Sequence, residues 1–212
     1  MAVAKTNYHH GDLRAALLEA ALDIITERGP QKLTIREVAR KAGVSHTAPY
    51  RHFANKDDLI VAVVKQGFEL MSQTMLDKKT AAEADPISQF AASGTAYVDF
   101  ALQHPAYYRV MYSGDLLTST GQHTLQHTSA ETFAELVSDV KTCQELGIIR
   151  TGNPTLQALS LLCTIHGFVT MVIDNRVSSL LGEGYPVDAI RDVILTTIFE
   201  GLGGTQAIAP ST

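Results

Sequence analysis

The stretch LTIREVARKAGVSHTAPYRHFANKDDL, Leu33–Leu59, decides how the rest of the chain is read. Thr34 stands where an N-cap belongs, and Glu37, three positions on, completes a capping box. Ile35, Val38 and Ala39 then fall on one face of a helix that Gly43 stops. Ser45 is placed to cap a third, very short helix from His46 to about Phe53. Asn55 can cap a fourth from Lys56, and Asp57 and Asp58 suit its positive end. The second and third of these, joined by the turn KAGVS, have the dimensions of a helix-turn-helix.

A helical wheel at about 100° per residue sorts the third helix. With His46 at zero, Tyr50 lies at about 40°, Thr47 at about 100° and Arg51 at about 140°. The outward arc therefore carries imidazole, phenol, hydroxyl and guanidinium, all able to bond phosphates or base edges. Ala48 and Pro49 fall inward. Pro49 sits in the first turn, so it forfeits only the earliest backbone bond, to Ser45. His52, at about 240°, lies on the flank toward the core, where it either reaches a phosphate from the helix end or satisfies an internal hydrogen bond.

Charge supports a polyanion partner at this place only. The 212 residues carry a formal net charge of −5. Between Lys32 and Lys56 there are six basic residues and one acidic. From Asp57 onward eight basic residues face seventeen acidic ones. Such a split lets an acidic protein present one face to a phosphate backbone, although a solvated patch has the same composition.

The rest of the chain reads as all-α. GDLRAALLEAALDIITERG is a first helix, with Leu13, Leu17, Ala20, Ala21 and Ile24 in step and Gly29-Pro30 at its end. Helices are expected over DPISQFAASGTAYVDFALQHP and, shorter, PAYYRVMYSG, each with a proline near its first turn. A loop GDLLTSTGQ precedes the long helix TLQHTSAETFAELVSDVKTCQELG. TLQALSLLCTIHGFVTMVID and VDAIRDVILTTIFEGL are the last two helices. This gives an N-terminal helix-turn-helix domain over residues 1–55, a helical bundle that dimerises over 56–205, and a frayed tail over 206–212.

Thr151 to Ile173 contains no charge, over nearly the length that spans a bilayer. Gln157, Ser160, His166 and Thr170 interrupt it, and no cationic flank or aromatic belt surrounds it. A helix this apolar must be covered on every side, by a second subunit, by its own bundle or by lipid. The first option favours a homodimer and no membrane partner. The N-terminal MAVAKTNYHHGD has no apolar core of a signal peptide, and Cys143 and Cys163 match no disulfide framework or metal spacing, so a cytoplasmic setting is expected.

LTIREVARKAGVSHTAPYRHFANKDDLIVAV, Leu33–Val63, resembles the DNA-binding domain of the TetR family of transcriptional regulators. YHHGDLRAALLEAAL fits the arm and first helix of that domain. FALQHPAYYRVMYSG and LLCTIHGFVTMVID resemble the ligand-sensing domain of a branch named for Trp, His and Gly; His166 and Gly167 are present, with Leu162 at the tryptophan position. The resemblance implies phosphate contacts from Thr34, Tyr50, His52 and Lys56 and base contacts from His46 and Thr47. Arg36, Ser45 and Arg51 complete the candidate DNA-contacting set, and Lys5 with the NYHH arm offers a further groove or phosphate contact. It also implies a homodimer on a palindromic operator and repression relieved by a small molecule, with no catalysis and no cofactor. Tyr97, Phe100, Tyr108, Met111, Tyr112, Phe133, His166 and Met171 are candidate ligand-contacting residues, each equally at home in a plain core.

One rival constellation remains. His123, His127 and Glu131 are spaced four and four, so one helical face carries all three and could hold a metal in a helical-bundle sensor. HTLQH lacks the inner glutamate of a zinc-protease motif, and no partner motif occurs elsewhere. A solvated face reads the same way. No G-x-S-x-G, P-loop or Rossmann glycine pattern is present.

Overall fold

A computed structural model describes residues 13–113, 119–182 and 184–203. Every regular element among them is helical: α1 (Leu13–Arg28), α2 (Ile35–Lys41), α3 (Lys56–Ala81), α4 (Pro86–Gln103), α5 (Pro105–Met111), α6 (Ser119–Glu145), α7 (Pro154–Ile173), α8 (Arg176–Leu181) and α9 (Val187–Gly203), with short 3-10 turns at Pro30–Lys32 and Ala48–Arg51. The Lys5 and NYHH arm and the expected tail lie outside the described residues.

The chain divides into two compact units, Met1–Gly67 with Ala106–Leu125, and Phe68–Pro105 with Gln126–Thr212. The boundary expected between residues 55 and 56 falls at the start of α3, whereas the units divide within that helix. It is unbroken from Lys56 to Ala81, so both units share it.

In the first unit α1 packs on α2, and Leu17, Leu18, Ala21, Ile24, Ile25, Val38 and Ala39 are buried. Burying each Leu or Ile contributes about 1.5–3 kcal/mol, and this small apolar centre holds the surface elements in place. Gly29 ends α1 at φ +80°, and Gly43 turns the chain after α2 at φ +70°. Both positions favour glycine because a Cβ there meets the following backbone. Leu33, Phe53, Leu59, Ile60, Val63 and Val64 complete the buried set around the helix-turn-helix.

In the second unit α4 packs against α7 and α9. Asp85 caps α4, its carboxylate accepting from the N–H groups of Ile87 and Ser88 at 3.0 Å, and Asn153 caps α7 in the same way. Phe90, Val140, Cys143, Ile149, Ala158, Leu161 and Leu202 form a core cluster, with Phe133, Leu136 and Phe199 against it. Part-buried ion pairs tie the helices: Lys78 and Arg191 share Asp99 at 2.9 and 3.3 Å, and Lys79 meets Asp139 at 2.6 Å.

The structure corrects several expectations. α6 begins at Ser119, so the last part of the expected loop GDLLTSTGQ is helical. A short helix, α8, follows α7 after Asn175 takes a left-handed φ of 56°, a conformation asparagine tolerates better than most residues. α7 is long and apolar enough to cross a membrane by length and composition, yet only 33% of its most apolar window is buried within the chain. Leu156, Leu159, Ser160, Cys163, Thr164, Gly167 and Thr170 form one exposed, uncharged strip along it.

Candidate nucleic-acid interface

Three local devices set the helix-turn-helix. The Thr34 hydroxyl accepts from the Glu37 N–H at 3.2 Å and donates to the Glu37 carboxylate at 3.3 Å. The capping box is thus present, but Glu37 reaches the cap hydroxyl rather than its backbone N–H. At the start of α3, Asn55 accepts from the Asp58 N–H at 3.0 Å while Asp58 accepts from the Ala54 N–H at 3.1 Å. That reciprocal pair fixes the entry of Lys56.

Between them the expected third helix is not α-helical. Thr47 and the turn Ala48–Arg51 close with i+3 bonds: Ala48 N–H to Ser45 C=O at 3.0 Å, Tyr50 N–H to Thr47 C=O at 3.3 Å and His52 N–H to Pro49 C=O at 2.9 Å. Pro49 lacks the N–H that would give Ser45 its i+4 partner, and Ala48 supplies the tighter bond instead. Ser45 is therefore not a side-chain cap; its hydroxyl lies 3.2 Å from that of Thr47. The 100° wheel overstates how long the helix runs, and it misplaces His52. That residue is exposed, not turned toward the core.

The rest of the outward arc faces solvent. His46, Thr47, Tyr50 and Arg51 are exposed while Pro49 and Phe53 are buried. Tyr50 shows 57% of its surface, so its phenol is open to a partner on this face.

Charge is sorted across this unit. Lys41 is held by Glu27 at 2.6 Å and Asp23 at 3.3 Å, and Arg28 pairs with Glu37 at 3.0 Å. The hydrogen bond to Glu27 raises the Lys41 ammonium above its usual range, and the same bond lowers the Glu27 carboxyl. Lys41 is thereby withdrawn from the basic surface to which its place in the chain assigns it. Arg36, Arg40, Arg51 and Lys56 make no side-chain hydrogen bond or ion pair among the described residues. Unpaired guanidinium and ammonium groups beside an exposed phenol are suited to phosphate oxygens. Sequence reasoning passes over Arg14, whose guanidinium stands 5.8 Å from the centre of the Phe53 ring. Its signal is an arginine among the apolar positions of α1.

The candidate ligand-contacting residues separate. In the first unit Tyr108 and Met111 are buried, and the Tyr108 and Tyr112 rings lie 4.8 Å apart. In the second, Tyr97 approaches His166, hydroxyl to Nδ1, at 3.4 Å. Burial lowers the His166 imidazole below its ordinary range, which favours the neutral ring. Phe133 packs on the Phe90–Val140 cluster, Phe100 is fully buried, and Met171 is half-buried on α7. Of the metal-binding alternative, the His123 and His127 side chains lie outside the described residues, and Glu131 is exposed on α6.

A helix, a glycine turn and a 3-10 turn beside Arg36, Arg51 and Lys56, unpaired among the described residues, have the arrangement of a helix-turn-helix DNA-binding unit. Residues 17–63 match the family described as bacterial regulatory proteins, tetR family, and residues 90–197 match the tetracyclin repressor-like C-terminal domain. The chain belongs to the TetR family of transcriptional regulators, and is not an enzyme. Over 53 residues it is 43% identical to an HTH-type transcriptional repressor of Mycobacterium tuberculosis, a match spanning 25% of this chain and only 28% of that protein. An HTH-type regulator of Bacillus subtilis is 24% identical over 79% of this chain and 87% of its own length. Among solved structures, a protein of unknown function from Rhodococcus is 30% identical with a TM-score of 0.79, covering 94% of this chain and all of the other. AibR, bound to isovaleryl coenzyme A and operator DNA, has the same fold at 19% identity and a TM-score of 0.68, covering 90% of this chain and 98% of its own.

Proposed function

We propose that the protein is a homodimeric, ligand-responsive repressor of transcription, released from a palindromic operator when a small molecule occupies the C-terminal bundle. The observation that carries this reading is the exposed arc His46, Thr47, Tyr50 and Arg51 beside Arg36 and Lys56, with no carboxylate partner among the described residues. His46 and Thr47 read base edges; Thr34, Arg36, Ser45, Tyr50, Arg51, His52 and Lys56 position the backbone. The setting is the cytoplasm, where operator DNA is found in a bacterium.

Two features support dimerisation and ligand response. The exposed strip of α7 has no charge, as an isologous contact requires when each residue near the two-fold axis meets its own copy. Val193, on α9 which packs against α7, is also 65% exposed. The part-buried Tyr97–His166 pair would serve as a polar handle for a small molecule in the bundle. A ligand there releases DNA only if it binds the DNA-incompetent arrangement more tightly than the competent one.

The test is selection of bound sequences from a random DNA pool, repeated at two salt concentrations. An enriched inverted repeat with steep salt dependence is expected; no enrichment together with a shallow slope sinks the reading. On the selected operator, Thr47→Ala should change base preference at one position of each half-site, worth about 1–3 kcal/mol of discrimination. Lys56→Ala should weaken all sequences alike and reduce the salt slope by about one per subunit. A sequence-selective loss would remove Lys56 from its backbone role.

A further inference from the structure

Arg14 occupies a position on α1 that packing alone does not explain. At about 100° per residue, Leu17, Leu18, Ala21 and Ile25 all lie within about 60° of it, so it belongs to the apolar stripe. The acidic residues Glu19, Asp23 and Glu27 lie on the opposite side, and two of them are taken by Lys41. Arg14 has no ion pair among the described residues, and it is exposed. Its guanidinium instead stands over the face of Phe53, 5.8 Å from the ring centre, close enough for a cation–π contact.

Phe53 is a rigid seat. It is 3% exposed, and its N–H donates to the Pro49 carbonyl at 2.9 Å, so the ring is part of the recognition turn. Arg51 and His52 precede it directly and Lys56 follows three residues on. A guanidinium held there keeps its N–H donors for another acceptor, because the ring engages only its π face.

We infer that Arg14 is a further DNA-backbone contact, seated by Phe53 beside the recognition turn and donating to a phosphate oxygen. It stands on α1, ahead of the helix-turn-helix, so α1 adds a contact that the helix-turn-helix itself does not supply. The inference rests on the DNA-binding reading, and the wild-type protein separates the two.

The experiment measures binding of the full chain to its selected operator by fluorescence anisotropy across a salt series, for wild type, Arg14→Met, Arg14→Gln and Arg14→Lys. Methionine keeps an apolar stem over Phe53 and removes the charge; lysine keeps both charge and cover. Arg14→Met is expected to bind roughly tenfold more weakly for each phosphate bond removed. Its slope of log K against log salt should flatten by about 0.9 for each phosphate relinquished, about twice that for two subunits. Arg14→Lys should keep the wild-type slope. Should the methionine variant fail to fold, Arg14→Gln carries the same expectation. A weaker Arg14→Met or Arg14→Gln with an unflattened slope would overturn the inference, since it marks a purely structural role at Phe53. A wild-type protein without steep salt dependence would overturn the DNA-binding reading as well.

Discussion

On the proposed dimer, Cys163→Asp is expected to leave the chain folded, reduce the mass in solution to the 22.9 kDa of one chain and abolish tight operator binding. Cys163 lies at the middle of α7, and its thiol is exposed. Within one subunit the substitution touches no core, so its stability cost should stay within about 0.5 kcal/mol. Between subunits the effect is different in kind. If two copies of α7 cross at their exposed strips, each introduced carboxylate meets its twin where water has been excluded, and like charges there cost several kcal/mol. A monomer then binds one half-site instead of two, and the affinity of a linked pair exceeds that of its single parts by about 10²–10⁴. Light scattering reads the first effect, and anisotropy on the selected operator reads the second. A dimer of undiminished stability would move the subunit contact to another face. Loss of DNA binding with the dimer intact would break the link between dimerisation and affinity.

What can be read in the sequence is local. The Thr34–Glu37 cap, the Asn55 cap and the turn glycine Gly43 each depend on residues within about four positions, and each is in the structure. Residue types identify the recognition turn, but they do not fix its geometry. Over four residues a 3-10 turn and an α-helix share the same apolar spacing, and only the missing N–H of Pro49 tells them apart. The wheel misplaces His52 for that reason alone. Lys41 escapes for another: its carboxylate partners lie 14 and 18 positions earlier in the chain, beyond any local pattern. Arg14 is hidden likewise, since its ring partner lies across a chain reversal.

The candidate ligand-contacting residues show the same limit from the other side. Aromatic residues mark a ligand site and a core with equal ease, so their chemistry does not separate the two. Burial and hydrogen bonding begin to do so. Tyr97 and His166 meet through polar atoms, whereas Phe133 sits on a wholly apolar cluster. The uncharged run from Thr151 to Ile173 poses a comparable question. Its freedom from charge is plain in the sequence, but that much of it faces outward within one chain is not.

Phe100→Ala supplies the second large effect and sorts one of these residues outright. Phe100 is 1% exposed and among the largest side chains fully buried in the protein. It stands on α4, which packs against α7 and α9, with His104 one turn on and the two rings 5.4 Å apart. Removing a ring packed in that state should cost about 3–5 kcal/mol through forfeited burial and the void left behind. Native domains hold only about 5–15 kcal/mol in total, so the urea midpoint should fall by roughly a fifth or more at unchanged slope. A residue lining an open ligand cavity would behave otherwise, because its ring would already face a space and truncation would create little new void. A fall below about 1 kcal/mol would therefore return Phe100 to the ligand-contacting set. His166→Phe provides the contrast: the imidazole is half-buried and bonded to Tyr97, so an apolar ring of similar size should be tolerated in the fold while the polar handle is removed. Stability sensitive at Phe100 and insensitive at His166 would separate the core of the bundle from its proposed ligand site.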